Sequence, residues 1–303
     1  MMKDGLTICL VYHSQSAKDL IKINFDLASG LNPGIRADWI AANNSMGAVD
    51  DNMDSDISVI KGADVPQIGG SITKWTRASY HHAAGINLSM PHVKTRFALI
   101  LDADLFIVRP FWIPDVLNYM RDNGIAFFGA PYHPARYTKY RYFPCAQCLF
   151  IDFEKINQKS INFLLDYSDN EKGLFRKIKR KLRKTLTQIF GERLSVGQSK
   201  DTGYRIYQQY HNNSSIKWES VKPVFKKQSR LPEYFLPEAL CFEPKIQSYY
   251  SEAGFKENGV FDAGSMGWEE YMWKEKPFAL HLKKAKKDLS LIKLREYLNQ
   301  STI

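Results

Sequence analysis

Apolar and polar positions along the first hundred residues switch between two periods. Residues 6–12 form a short apolar run of strand length, and 17–29 carry apolar residues at helical spacing up to Gly30 and an Asn32-Pro33-Gly34 turn. Residues 35–40 read as a second strand, 43–56 as a polar and acidic loop, and 56–60 as a short strand. Helical spacing returns over 77–90 and ends at Pro91, and 97–101 are apolar without a break. This alternation predicts an α/β fold with a mostly parallel sheet flanked by helices.

Past Pro110 the pattern is less regular. A helix is predicted from Pro114, placed at its first position, to Asn123-Gly124, followed by a strand over 125–129 and a loop holding Tyr132, Tyr137, Tyr140 and Tyr142. Residues 148–153 read as a strand leading into a helix that reaches about Tyr167. A further helix is expected to begin near Asp201, and a last strand over 278–282. No internal repeat or low-complexity linker divides the chain, so a single domain over 1–303 is expected, with halves 1–110 and 111–303.

The run Phe97-Ala98-Leu99-Ile100-Leu101 suits a strand buried on both faces, and it ends in Asp102-Ala103-Asp104. Ligands of open α/β sheets gather at the carboxyl ends of such strands. If the chain stays extended, residues two apart point the same way, so both carboxylates face one place, where a divalent cation would offset their repulsion. Aspartates also cap turns after strands, and that reading stands beside the first.

Four cysteines in 303 residues give no disulfide framework, and no apolar stretch is long enough to span a bilayer. The first residues also lack the apolar core of a signal peptide, so a reducing cytoplasm is the expected location. The net charge of +10 is concentrated, with eight Lys/Arg and no acid between Lys172 and Lys184. Apolar residues at 174, 175, 178, 182, 186, 189 and 190 share helical spacing with that charge. The segment 172–190 is therefore expected to be a basic amphipathic helical insertion lying on an anionic membrane surface. A solvated helix packed on the domain and a nucleic-acid contact are the alternatives; no nucleic acid is expected.

Taken together, the βαβ half, the apolar strand ending in Asp102-Ala103-Asp104 and the late strand Phe278-Ala279-Leu280-His281 resemble the GT-A glycosyltransferases, of the type that builds bacterial capsule and lipopolysaccharide. Residues 144–154 resemble the acceptor-side segment of bacterial members, and the likeness extends over about 6–285. It implies a mixed GT-A-like sheet and a nucleotide-sugar donor, UDP-linked by default, bridged to the protein by Mn²⁺ or Mg²⁺. The acceptor would be a glycan or lipid-linked oligosaccharide, with the enzyme peripheral on the inner face of the cytoplasmic membrane. Asp102 would face the ribose and the metal, Asp104 would ligate the metal, and His281 would complete the site, with Lys283 and Lys284 near the diphosphate. Oxygen ligands with one imidazole suit those ions better than a thiolate-seeking metal.

Other residues carry a functional and a plainer reading side by side. Asp201 is the candidate general base of an inverting reaction, or an ordinary helix cap. Tyr12 and Arg77 are candidate donor contacts, and His81 and His82 lie on the helix before the acidic strand; structural roles explain all four at least as well. Cys145 and Cys148 lack the second pair a zinc site needs. Two other functions fit parts of the chain: a phosphatase of the haloacid-dehalogenase type, which also uses a strand–Asp-x-Asp element, and a non-enzymatic basic membrane- or RNA-binding protein.

Overall fold

The computed structural model describes residues 2–45, 47–62, 74–133 (backbone only for 74–78), 139–140, 142–164, 201–225, 250–251, 253–258, 263, 267–282, 294 and 296. Strands β1 (Lys3–Tyr12), β2 (Asp38–Asn43), β3 (Ile57–Lys61) and β4 (Thr95–Leu101) pair in parallel in the order β3-β2-β1-β4. Strands β6 (Phe127–Pro131), β7 (Pro144–Asp152) and β8 (Trp218–Ser220) extend the sheet to seven, with β7 antiparallel to both β4 and β6. The result is the mixed, mostly parallel sheet expected for the chain.

A second sheet stands beside it, entirely antiparallel, in the order β5-β11-β10-β9: β5 (Leu105–Ile107), β11 (Lys276–His281), β10 (Glu269–Trp273) and β9 (Lys222–Pro223). Helices α1 (Gln15–Leu31), α2 (Lys74–Ser89), α3 (Trp112–Asn123) and the short α4 (Tyr204–Tyr210) complete the regular elements used below.

Strand β4 is buried on both faces, as its composition predicts. Phe97, Leu99 and Leu101 join one core cluster with Leu10, Phe128 and Phe150, whereas Ala98 and Ile100 join another with Cys9 and Val11. Each large apolar side chain removed from water contributes about 1.5–3 kcal/mol. The first cluster also holds Trp112 of α3 and Trp273 and Phe278 of the second sheet. A third packs Leu20 and Leu27 of α1 against Phe106 and Leu280. These contacts set the second sheet, and the end of β11 with it, beside the carboxyl end of β4.

Several boundaries differ from the sequence reading. Helix α1 starts earlier, with Ser14 Oγ accepting from the N–H of Ala17 at 3.3 Å, and runs through Gly30. It stops where the Asn32 side-chain amide donates to the Ala28 carbonyl at 2.8 Å. Strand β2 begins three residues later than expected, because the buried run is Trp39 to Ala42 while Ile35 is exposed. Pro114 is the third residue of α3 instead of the first. Strand β7 reaches back to Pro144, and the helix expected after it is absent over 154–164, where a single 3-10 turn, Gln158–Ser160, forms instead. Asn87 Oδ1 accepts the Phe163 N–H at 2.9 Å and draws that segment extended against α2. Strands β5, β8, β9 and β10 were not anticipated at all. The rest of the predicted helix near Tyr167 and the basic segment 172–190 lie outside the described residues. Among the described residues, no helix is long and apolar enough to cross a membrane.

Candidate metal centre

Strand order reverses between β1 and β4, since β2 and β3 lie on one side of β1 and β4 on the other. Such a switch point opens a crevice at the carboxyl ends of the two strands. Asp102 occupies that position, its N–H donating to the Gln147 carbonyl of β7 at 2.9 Å.

The two aspartates meet for a different reason than an extended chain would give. The Leu105 N–H donates to the Asp102 carbonyl at 3.0 Å, so Asp102 to Leu105 is a turn that hands the chain from β4 to β5 in the other sheet. That turn is held from three sides. Asn24 of α1, nearly fully buried, donates from Nδ2 to the Ala103 carbonyl at 3.0 Å. The Leu282 N–H donates to the Asp104 carbonyl at 2.9 Å, and His281 is the register partner of Leu105.

His281 thereby joins the pair. One ligand atom each from Asp102, Asp104 and His281 lies within 4.8 Å of the others, and His281 Nε2 is 3.5 Å from Asp104 Oδ1. Gln147 Nε2 lies 3.3 Å from the same imidazole nitrogen. On the far side of the ring, His281 Nδ1 is 2.7 Å from Glu269 Oε2, and these two residues face each other across the β10–β11 ladder. Burial opposes the charged imidazolium, but the hydrogen bonds and charges of Asp104 and Glu269 outweigh it, pushing the His281 pKa up to about 9.

His82, on α2, approaches from the helix layer, its Nε2 3.1 Å from Asp102 Oδ1. Its pKa is also raised: desolvation works against the charge and is overcome by Asp102, with Asp104 adding to it. His82 was read as one of two histidines with no stronger functional than structural role. Its place four residues before buried Ile86, on the inward stripe of α2, is the sequence signal that marks it.

Two carboxylates and one imidazole nitrogen suit a hard or borderline divalent cation such as Mn²⁺ or Mg²⁺, and three ligands leave coordination positions for water or phosphate oxygens. Among the described residues, thiolates do not compete. Cys9, Cys145 and Cys148 are buried, and burial pushes the thiols of Cys9 and Cys148 up to about 12.

Tyr12 is fully buried, its hydroxyl donating to the Asp50 carbonyl at 3.3 Å, so its ring offers no open face for stacking on a base. Asp201 is not a helix cap: Gly203, at φ 80°, precedes the first residue of α4. Asp201 instead forms an ion pair with Lys139 through Oδ2, which also accepts from the Tyr132 hydroxyl at 3.4 Å, while Oδ1 accepts the Thr202 N–H at 2.9 Å. The side chain of Arg77 and all of Lys283 and Lys284 lie outside the described residues. Glu269, Gln147 and Asn24 were missed by sequence reasoning.

No protein-family model matches the chain, and no curated protein is similar to it. Among solved structures, the mannosyltransferase PcManGT from Pyrobaculum calidifontis, in complex with GDP-Man and Mn²⁺, aligns with 53% of this chain and 48% of its own at 11% identity and a TM-score of 0.36. S. aureus TarS 1–349 aligns with 52% of this chain and 50% of its own at 7% identity and a TM-score of 0.34. A further S. aureus TarS structure aligns with 52% of this chain and 30% of its own at 8% identity and a TM-score of 0.32. The chain thus spans half or less of the length of each of these structures. At these TM-scores the likeness says nothing of function.

Proposed function

We propose that the chain is a metal-dependent glycosyltransferase that moves a sugar from a nucleotide-diphosphate donor, UDP-linked by default, to a glycan or lipid-linked acceptor of a bacterial surface polysaccharide. The observation that carries this is the meeting of Asp102, Asp104 and His281 within 4.8 Å at the switch point of the sheet.

In this reading Asp102 and Asp104 hold Mn²⁺ or Mg²⁺ through carboxylate oxygens and His281 through Nε2. The bound ion supplies Lewis-acid stabilisation of the negative charge that gathers on the departing diphosphate. The buried main-chain bonds around Asp104 keep the ligand set in place before substrate arrives, so little reorganisation is needed during reaction. His82 braces the Asp102 oxygen it bonds. Arg77, Lys283 and Lys284 are proposed to meet the diphosphate, a role that rests on their charge and place in the sequence. Tyr12 is proposed to act on the donor side only indirectly, by tying down the loop that carries Asp50.

Asp201 is the proposed base if transfer inverts the anomeric centre. For it to take the proton of an attacking acceptor hydroxyl, Lys139 must first release Oδ2, because the ion pair occupies that oxygen. The membrane-facing role of 172–190 and the inner-face location rest on the composition of that segment alone.

Thermal shift with UDP, GDP and CMP, each with and without Mn²⁺, tests the proposal. A ligand that binds only the folded protein raises Tm by mass action. Stabilisation that requires the cation plus one nucleotide, and disappears in Asp104→Ala, is the expected result. No shift with any nucleotide, or an equal shift in the variant, contradicts it.

A further inference from the structure

Glu269 is 3% exposed, at a depth where an unpaired carboxylate is strongly disfavoured. It sits on β10, directly across the ladder from His281, and its Oε2 lies 2.7 Å from His281 Nδ1. The opposite ring nitrogen faces Asp104 at 3.5 Å. In a neutral imidazole one nitrogen carries the proton and the other a lone pair, and the partner of the first decides which is which. A carboxylate can only accept. Once neutral, a ring held at Nδ1 by Glu269 therefore keeps its remaining proton there and turns the Nε2 lone pair toward the two aspartates.

A buried ion pair kept for stability alone is the competing explanation. Such pairs contribute little net stability over an apolar substitute, and stability does not require that Nε2 point at a cluster of carboxylates. The backbone adds to the case. The Leu282 N–H bond to Asp104 and the pairing of His281 with Leu105 fix where the ring begins; its rotation and tautomer are then set by the Glu269 carboxylate at Nδ1 and the Gln147 amide, 3.3 Å from Nε2.

We infer that Glu269 is a positioning residue for the cation site, holding the proton of His281 on Nδ1 so that Nε2 is the ligand. This rests on the metal reading above and adds a residue that does not itself touch the cation. Buried partners of ligating histidines typically alter metal affinity by about 10–100-fold.

The test is Mn²⁺ titration of the nucleotide-free protein by EPR, with pulsed EPR to detect coupling of the bound ion to imidazole ¹⁴N. Wild type is expected to show that coupling, and His281→Ala to lack it. Glu269→Ala is expected to bind Mn²⁺ about 10–100-fold more weakly with the ¹⁴N coupling reduced or lost. Glu269→Gln keeps an acceptor oxygen without the charge and is expected to recover part of the affinity; it also carries the test if the alanine variant does not fold. Unchanged affinity and coupling in the Glu269 variants, whether or not their metal-free Tm falls, would mean a structural pair only and would overturn the inference. Asp104→Ala separates the two levels. If it loses Mn²⁺ while the Glu269 variants do not, the positioning role alone fails; if it binds as wild type does, the metal reading fails and this inference with it.

Discussion

The main-chain N–H of Leu282 donates to the carbonyl of Asp104 at 2.9 Å, tying residues 178 positions apart in sequence at the point where the two sheets meet. His281, the neighbour of Leu282, is thereby delivered to Asp104 by backbone, before any side chain takes part. The cation site proposed here is therefore a property of how the second sheet docks on the first, and disturbing that junction is expected to weaken cation binding without touching a ligand.

Asn24 offers such a disturbance. Its amide is nearly fully buried and donates to the Ala103 carbonyl between the two aspartates. Asn24→Ala leaves that carbonyl without this donor, which typically costs about 1–3 kcal/mol. The expected result is a lower urea midpoint together with weaker Mn²⁺ binding, measured by calorimetry. A stability loss with full cation affinity would show that the turn holds its shape without α1.

Affinity for the cation is expected to rise with pH. In the metal-free protein the His281 pKa is raised from 6.5 to about 9. Its stabilising contribution is complete below about 6.5 and is lost as pH rises through about 9. A bound cation needs the neutral ring, so binding expels that proton. Below pH 9 the apparent Mn²⁺ affinity should climb by up to about tenfold per pH unit, with His82 adding to the slope. Titrations at pH 7, 7.5 and 8 in wild type and His281→Ala check this. Equal slopes in the two proteins would remove His281 from the site.

Asp201 and Lys139 form an ion pair, and Asp201 is only 15% exposed. We expect Asp201→Asn to lower thermal stability, since the pair ties Lys139 to the start of α4. In an inverting reaction it is also expected to reduce kcat by about 10²–10⁴-fold with KM unchanged, the typical cost of removing a general base. A loss of less than about tenfold would leave Asp201 a structural partner of Lys139 and contradict the base role.

Gly129 carries a prediction about the fold alone. Its φ is 150°, and a Cβ there would come within 1.9 Å of the Cys148 carbonyl oxygen on the neighbouring strand. Gly129→Ala must push β6 and β7 apart, at a cost in the range of the largest single-substitution effects, about 4 kcal/mol or more. Soluble yield and urea midpoint are the readouts, and a midpoint equal to that of wild type would contradict the packing described.

How much of this was legible in the sequence depends on the distance over which each residue acts. The β4 run and the place of Asp102 and Asp104 at its end follow from local composition, whereas His281 was named from the end of its own apolar strand together with the family resemblance. The route by which they converge could not. An extended chain and a turn between sheets place Asp102 and Asp104 differently, and only the unanticipated strand β5 decides between them. Glu269 left no local mark, because its meaning comes from a cross-strand partner through a hairpin, and β10 itself has no clean alternation. Asn24 did leave one: it falls on the buried stripe of α1 with Leu20, Ile21, Leu27 and Ala28, where a polar residue needs a partner. Asp201 illustrates the reverse failure. A carboxylate just before a helix looks like a cap, yet the left-handed Gly203 takes that position and Asp201 turns to Lys139.

Residues 102, 104 and 281 are proposed to hold one divalent ion, and anomalous diffraction from crystals soaked in Mn²⁺ and a nucleoside diphosphate would locate it. A single anomalous peak is expected about 2.0–2.6 Å from a carboxylate oxygen of Asp104 and from His281 Nε2, with a diphosphate oxygen beside it. A peak elsewhere on the molecule, or none at these three residues while nucleotide is bound, would contradict it.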